Sequence, residues 1–197
     1  DTLMDVKLTN GNSDIIIGSR MGRAVRFPET KVNPMGRTAT GVRGITLSTK
    51  NNDEVVGIVC TDTSSQTNAT ILTVSEKGYG KRSFVEEYRL TNRGGKGVIT
   101  MNITDKTGHL IAIKEIHDND GLMIINKSSI TIRMSADNIS VQGRNTQGVR
   151  LINLSEGDEI AGVAKIASTP NESDDSNSIL ETPPNEVGEE SIEPITE

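Results

Sequence analysis

The chain has 197 residues, of which 33% are hydrophobic and only 2% aromatic, with no Trp, so apolar packing falls to Ile, Val, Leu and Met in short segments. Its formal charge of −6 hides an asymmetry: nine of the 27 acidic residues follow Ala167, where Lys and Arg are absent, leaving residues 1–167 at +3 and the tail at −9. No run approaches the roughly 18 to 20 apolar residues of a membrane span, no secretory leader opens the chain, and Cys60 alone excludes an internal disulfide, so a soluble cytoplasmic protein is expected.

Residues 1–13 contain one apolar segment, Met4 to Leu8, which reads as the last strand of a preceding unit. Three stretches then align without a gap: Ile15–Leu47, Ile71–Ile103 and Leu122–Leu154. Arg26/Arg82/Arg133, Arg37/Arg93/Arg144, Gly41/Gly97/Gly148 and Val42/Val98/Val149 are identical in all three. A repeat of about fifty residues, rich in turn signals and poor in helical pattern, is the signature of propeller-type blades. Length differences between copies fall after the shared Val, in a loop.

Residues 14–62 form the first complete blade, 63–118 the second and 119–167 the third. Each opens on a buried run, Ile15–Ile17, Ile71–Val74 or Leu122–Ile125, followed by a turn and a strand through the repeated Arg. The chain turns back into the core at Val32/Tyr88/Ile139. A third strand starts at the shared Val, and Val55–Val59, Leu110–Ile116 and Ile160–Ile166 supply a fourth. The fold class is therefore all-β: propeller blades of four antiparallel strands in a partial ring, with a disordered acidic tail over 168–197. Three blades are too few to close, which reads as a piece of a longer protein.

The turn with most chemical content is Asn92-Arg93-Gly94-Gly95-Lys96-Gly97. Its glycines allow backbone amides to approach an oxyanion closely, and Arg93 and Lys96 add two cations. The equivalent turns, Gly36–Gly41 and Gly143–Gly148, keep Arg37 or Arg144 but lose the Lys. The repeated arginines have a second reading as ties between strands or neighbouring blades through carboxylates or carbonyls. Tyr88 reads as core and Tyr79 as a loop residue.

Other patterns carry less. Asp118-Asn119-Asp120-Gly121 begins like a calcium loop without the required Glu and reads as an inter-strand turn. Cys60, His109 and His117 lack the context of a nucleophile and base. No phosphate loop with a following Lys-Ser/Thr is present.

Asn92–Gly97 resembles the gyrase-A box found in the carboxyl-terminal domain of the DNA gyrase A subunit, usually Gln-Arg-Arg-Gly-Gly-Lys-Gly; Gly143–Val149, Glu76–Arg82 and the acidic tail resemble that family as well. The resemblance implies a β-pinwheel whose basic rim wraps double-stranded DNA for a type IIA topoisomerase. It implies negative supercoiling driven by ATP, which the gyrase B subunit hydrolyses within an A2B2 complex, with ATP and Mg2+ used outside this segment. Expected DNA-binding residues are Arg93 and Lys96 with Gly94 and Gly95, then Arg37, Arg43, Arg144, Arg150, Lys77, Lys81 and Arg82. No catalytic, metal or cofactor residue is expected here, and no membrane partner. The alternatives are a protein-interaction propeller, the corresponding part of topoisomerase IV, or a free-standing paralogue. Wrapping would rest on phosphate neutralisation, insensitive to base sequence, against a bending cost of about 1 to 6 kcal/mol per 20–30 bp.

Overall fold

The computed structural model describes residues 2–49, 51–62 and 69–166; the acidic segment expected to be disordered lies outside them. Eleven strands fill the described residues: β1 (Ser13–Ser19), β2 (Arg23–Pro28), β3 (Val55–Asp62), β4 (Thr70–Ser75), β5 (Tyr79–Phe84), β6 (Val98–Ile99), β7 (Leu110–Ile116), β8 (Gly121–Asn126), β9 (Thr131–Ser135), β10 (Val149–Arg150) and β11 (Ile160–Ile166). The protein is all-β. Its three sheets have the orders β3-β1-β2-β6, β10-β5-β4-β7 and β11-β8-β9, and every pairing between these strands is antiparallel. Single 3-10 turns, Glu29–Lys31, Val85–Glu87 and Ala136–Asn138, stand at equivalent places after β2, β5 and β9.

The strand that starts at the shared Val does not join the sheet of its own repeat. β6 pairs with β2 of the preceding repeat, Ala24 opposite Val98 and Arg23 opposite Ile99. β10 pairs with β5 in the same register, Gly80 opposite Val149 and Tyr79 opposite Arg150. The first two sheets are thus completed by the next repeat. The first repeat has no strand at Val42, and the third sheet has three strands among the described residues.

The identical glycine before the Val is the device that permits this exchange. Gly97 has φ +71°, and a Cβ there would stand 2.4 Å from the Ala24 carbonyl oxygen; at Gly148 the values are +79° and 2.5 Å, against Gly80. Only a residue without Cβ tolerates both the left-handed backbone and the close approach.

The core lies between sheets. Ile16, Ala24 and Val59 of the first sheet pack on Ile71, Val85, Tyr88 and Ile113, and Leu72, Val74, Ala112 and Ile116 of the second pack on Leu122, Ala136 and Ile139. Tyr88 and Ile139 are buried as expected, and the Tyr88 hydroxyl shares a 2.5 Å hydrogen bond with Thr100 Oγ1. Burial pushes the Tyr88 phenol up to about 12. Their counterpart Val32 is 37% exposed, because none of the described sheets packs over it. Inner strand β7 packs against both β3 and β11, so β6 and β10 lie on the opposite, outer margin.

The segment Met4–Leu8, expected as a strand, carries none. Leu3, Met4, Val6 and Leu8 are exposed, and the segment pairs with none of the described strands.

Candidate nucleic-acid interface

Strand exchange decides where the box-like turns stand. Residues 92–97 run directly into β6 and residues 143–148 into β10, so both turns emerge at the outer margin of a sheet. Each is pinned to the repeat before it: the Gly94 N–H donates to Gly44 O at 2.6 Å, Thr46 N–H to Gly95 O at 2.9 Å, and Asn102 N–H to Thr146 O at 3.0 Å. The Gly94 amide is therefore engaged within the protein rather than offered to an anion. Gly95 stays open, with no atom nearer than 3.9 Å to where its Cβ would be.

Arg93 and Arg144 are both rim residues and inter-repeat ties. Arg93 donates from Nε to Lys31 O at 3.0 Å and from Nη1 to Arg43 O at 3.3 Å. Arg144 donates from Nη1 to Ile99 O at 2.8 Å, and Ile99 is the counterpart of Arg43. The repeated Arg thus holds the same carbonyl in successive repeats while its position remains solvent-facing, and a guanidinium with five N–H donors keeps others for an outside acceptor. Lys96 is exposed and has no hydrogen bond or ion pair among the described residues. Arg37 and Arg43, in the first repeat, are likewise exposed.

Two expected DNA-binding residues are corrected by burial. Lys81 is fully buried in β5, its Nζ donating to Gly143 O at 2.5 Å, and burial holds its ammonium down at about 8. Arg82 is 5% exposed; it donates from Nε to Ile139 O at 2.8 Å and pairs with Asp118. Neither can reach a phosphate, because the next repeat covers both. Arg26 is the counterpart of Arg82 and does the same work, bound to Asp14 at 2.7 Å and donating to Val85 O and Tyr88 O.

A second cationic cluster gathers around Tyr79. Far from being a loop residue, Tyr79 opens β5 and is 6% exposed. Arg150 donates from Nη2 to its hydroxyl at 2.8 Å, and Arg150 Cζ and Lys106 Nζ each lie 5.4 Å from the ring centroid. The hydrogen bond from Arg150, with both positive charges, holds the phenol below its ordinary value. Lys77 stands in the same cleft of about 410 Å³, its Nζ donating to Asp105 O at 2.5 Å. Lys106 escaped sequence reasoning because it sits in the loop where repeats differ in length. The aromatic in a position held elsewhere by Arg23 and Ile130 was the available signal.

The Asp118–Gly121 turn is engaged internally: Asp118 pairs with Arg82, and Asp120 accepts from His117 N–H at 2.7 Å and pairs with Lys165 at 2.8 Å. Among the described residues no His, Cys, Asp and Glu cluster suits a metal ion, and no helix is long and apolar enough to cross a membrane. Cys60 is half-buried in β3, and burial pushes its thiol up.

The chain is 43% identical over 175 residues to the A subunit of DNA gyrase from Staphylococcus epidermidis ATCC 12228, and 44% identical over 172 residues to that from Staphylococcus aureus MRSA252. The alignments cover 89% and 87% of this chain but 19% of each relative, so the chain spans about a fifth of their length. Among solved structures it is similar to a DNA gyrase A C-terminal domain, with TM-score 0.70, 26% identity, and coverage of 79% of this chain and 51% of that one. It also shares its fold with the C-terminal domain of a DNA topoisomerase IV, with TM-score 0.73, 23% identity, and coverage of 82% and 49%. The profile described as DNA gyrase C-terminal domain, beta-propeller matches residues 13–62, 69–116 and 122–167, one match per repeat, and the chain belongs to that family.

Proposed function

We propose that this chain binds and wraps double-stranded DNA along its outer rim without reading base sequence, as the carboxyl-terminal part of a gyrase A subunit. The observation that carries the reading is placement: the turn holding Arg93 and Lys96 and the turn holding Arg144 occur at the same point on successive sheets, each at the outer margin. Lys96 has no partner of its own among the described residues, and Arg37, Arg43, Arg150, Lys77 and Lys106 extend the same charge. Cations spaced along a curved edge neutralise phosphates at intervals, which is what bending a duplex around a protein requires. Gly95 lets the backbone come close to the duplex.

In this reading the segment performs no covalent chemistry. Its contribution to the parent topoisomerase is to fix the path of the DNA, so that strand passage by the remainder, together with the ATP- and Mg2+-dependent B subunit, has a preferred sign and yields negative supercoils. The cytoplasm, where bacterial DNA lies, is the matching compartment.

The test is a binding titration with two duplexes of unrelated sequence over a range of salt. Equal affinities and a linear fall of log K with log salt are expected. Charge reversal of Arg93 and Lys96 together should lower both affinity and slope, by about 0.9 in slope for each phosphate no longer neutralised. An unchanged slope would overturn the assignment of these two residues.

A further inference from the structure

The strand exchange brings a second set of arginines to the outer margin, one level below the box-like turns. In the first sheet Arg23 of β2 stands opposite Ile99 of β6; in the second Tyr79 of β5 stands opposite Arg150 of β10. The two cross-strand pairs are equivalent in the repeat alignment, yet the arginine has changed strands, so each of these positions carries one guanidinium whichever strand supplies it. We propose that Arg23 and Arg150 form a lower row of phosphate contacts, parallel to the upper row of Arg93 and Arg144, and that the two rows hold opposite strands of one duplex across its minor groove. This placement rests on the DNA-wrapping reading above and extends it.

The rows are separated along the strands. Arg26 O accepts the Thr91 N–H at 2.8 Å where the first turn leaves β2, and Gly97 closes on Ala24 where it returns, next to Arg23. In the second sheet Arg82 O accepts the Gln142 N–H at 2.8 Å, and Gly148 closes on Gly80, next to Tyr79 and Arg150. Arg26 and Arg23 are three residues apart in β2, which at about 3.3 Å per residue puts the two levels about 10 Å apart. Arg93 reaches away from the lower level, to Lys31 O beyond the end of β2. Because the sheets pack face to face, a duplex passing from one to the next crosses these strands broadside. The two levels then fall on its two sides rather than in sequence along it. A minor groove about 6 Å wide, with a phosphate backbone on each bank, fits between them.

The lower arginines are equipped for such contacts. Both are exposed, and neither pairs with a carboxylate among the described residues. Arg23 donates from Nη1 to Gly97 O at 3.2 Å. Arg150 donates to the Tyr79 hydroxyl at 2.8 Å and to Asn153 Oδ1 at 3.3 Å, with its guanidinium over the Tyr79 ring. These acceptors are neutral and use only some of the five N–H donors, so the positive charge stays uncompensated and donors remain for an outside oxyanion. Lys106, over the same ring, adds a second cation to the lower row at the second sheet.

Salt titrations of the full 197-residue chain against two duplexes test the arrangement: a natural duplex, and one of the same sequence whose second strand carries uncharged methylphosphonate linkages. On the natural duplex Arg23→Gln/Arg150→Gln and Arg93→Gln/Arg144→Gln, each with native circular dichroism, should lower the slope of log K against log salt by about 1.8, two phosphates at about 0.9 each. On the half-neutral duplex each double variant should keep the parent's slope, because the duplex turns end for end and offers its charged strand to the row that remains. The quadruple variant should fall below it. An unchanged slope for Arg23→Gln/Arg150→Gln on the natural duplex would overturn the proposal while leaving the DNA reading standing, with these arginines serving only to blunt a strand edge. Double variants that lose as much slope on the half-neutral duplex as on the natural one would place both rows on one strand and overturn it too. A parent chain without salt-dependent affinity for the natural duplex would overturn the DNA reading itself, and this proposal with it.

Discussion

Arg26 reaches beyond its own sheet to donate from Nη1 to the carbonyl oxygen of Tyr88 at 3.2 Å. Arg82 does the same for Ile139, the residue that replaces Tyr88 one repeat on. The identity of Arg26 and Arg82 is therefore explained by packing between sheets. The two sites should differ in cost. Removing Arg26 strands the Asp14 carboxylate, whose side chain is 6% exposed, whereas Asp118 beside Arg82 is 60% exposed and can rehydrate. We expect Arg26→Met to lose about 3 to 5 kcal/mol and Arg82→Met about 1 to 3 kcal/mol. Urea unfolding of the two variants checks the order; equal losses would refute it.

The repeated glycine offers a comparison within one molecule. Gly97→Ala meets both a positive φ and the Ala24 carbonyl oxygen, while Gly41→Ala meets only the positive φ. Left-handed backbone costs an L-residue about 1 to 2 kcal/mol, and the collision adds displacement of β6 from β2. Gly97→Ala should therefore lower the melting temperature clearly more than Gly41→Ala. Matching shifts would mean that the close approach contributes nothing.

Much of the fold was legible because the gap-free register places β1, β4 and β8, and likewise β2, β5 and β9, at equivalent positions in the three repeats. What periodicity does not carry is partner choice: a strand beginning at Val98 recurs identically whether it completes its own sheet or the one before. The clue lay in Gly97 and Gly148, since a glycine repeated before a strand signals close backbone approach. Lys81 was misread for a related reason. It looks like a basic residue next to a turn, but its counterparts are Val25 and Ile132, so the repeat alignment marks an interior position. Tyr79, aromatic where the other repeats hold Arg23 and Ile130, marked the place of the second cluster, but Lys106 lies in a loop of irregular length that the repeat alignment does not reach.

Lys81 should write itself into the pH dependence of stability. Its folded pKa is about 8 against an ordinary 10.5, lowered by burial. Between those values the unfolded chain binds the proton more tightly, so this group's penalty is full below pH 8 and fades as pH rises toward 10. A shift of this size corresponds to about 3 kcal/mol. Lys81→Met should flatten the rise in unfolding free energy between about pH 8 and pH 10, the Gly143 carbonyl keeping Thr146 N–H and Oγ1 as donors. A variant retaining the same slope as the parent would assign the rise to other groups. Above about pH 10 the raised Tyr88 phenol acts oppositely, because ionisation then favours the unfolded chain.

Arg93 and Lys96 sit on one short turn, and the rim reading assigns them different side duties. Arg93 donates to Lys31 O and Arg43 O and so contributes to holding two repeats together, whereas Lys96 is bound to nothing among the described residues. Arg93→Gln should reduce DNA affinity and also thermal stability, the latter by about 1 kcal/mol for each net hydrogen bond removed. Lys96→Gln should leave the melting temperature unchanged and lower the salt slope by about 0.9, the signature of one phosphate neutralised. If Lys96→Gln left slope and affinity intact while Arg93→Gln lost only stability, the turn would be an inter-repeat clamp and DNA would have to engage the Tyr79 cluster instead. Anisotropy titrations of Lys106→Gln and Arg150→Gln, run beside the other two, tell these outcomes apart: in the rim reading all four variants reduce the slope, and in the clamp reading only the last two do.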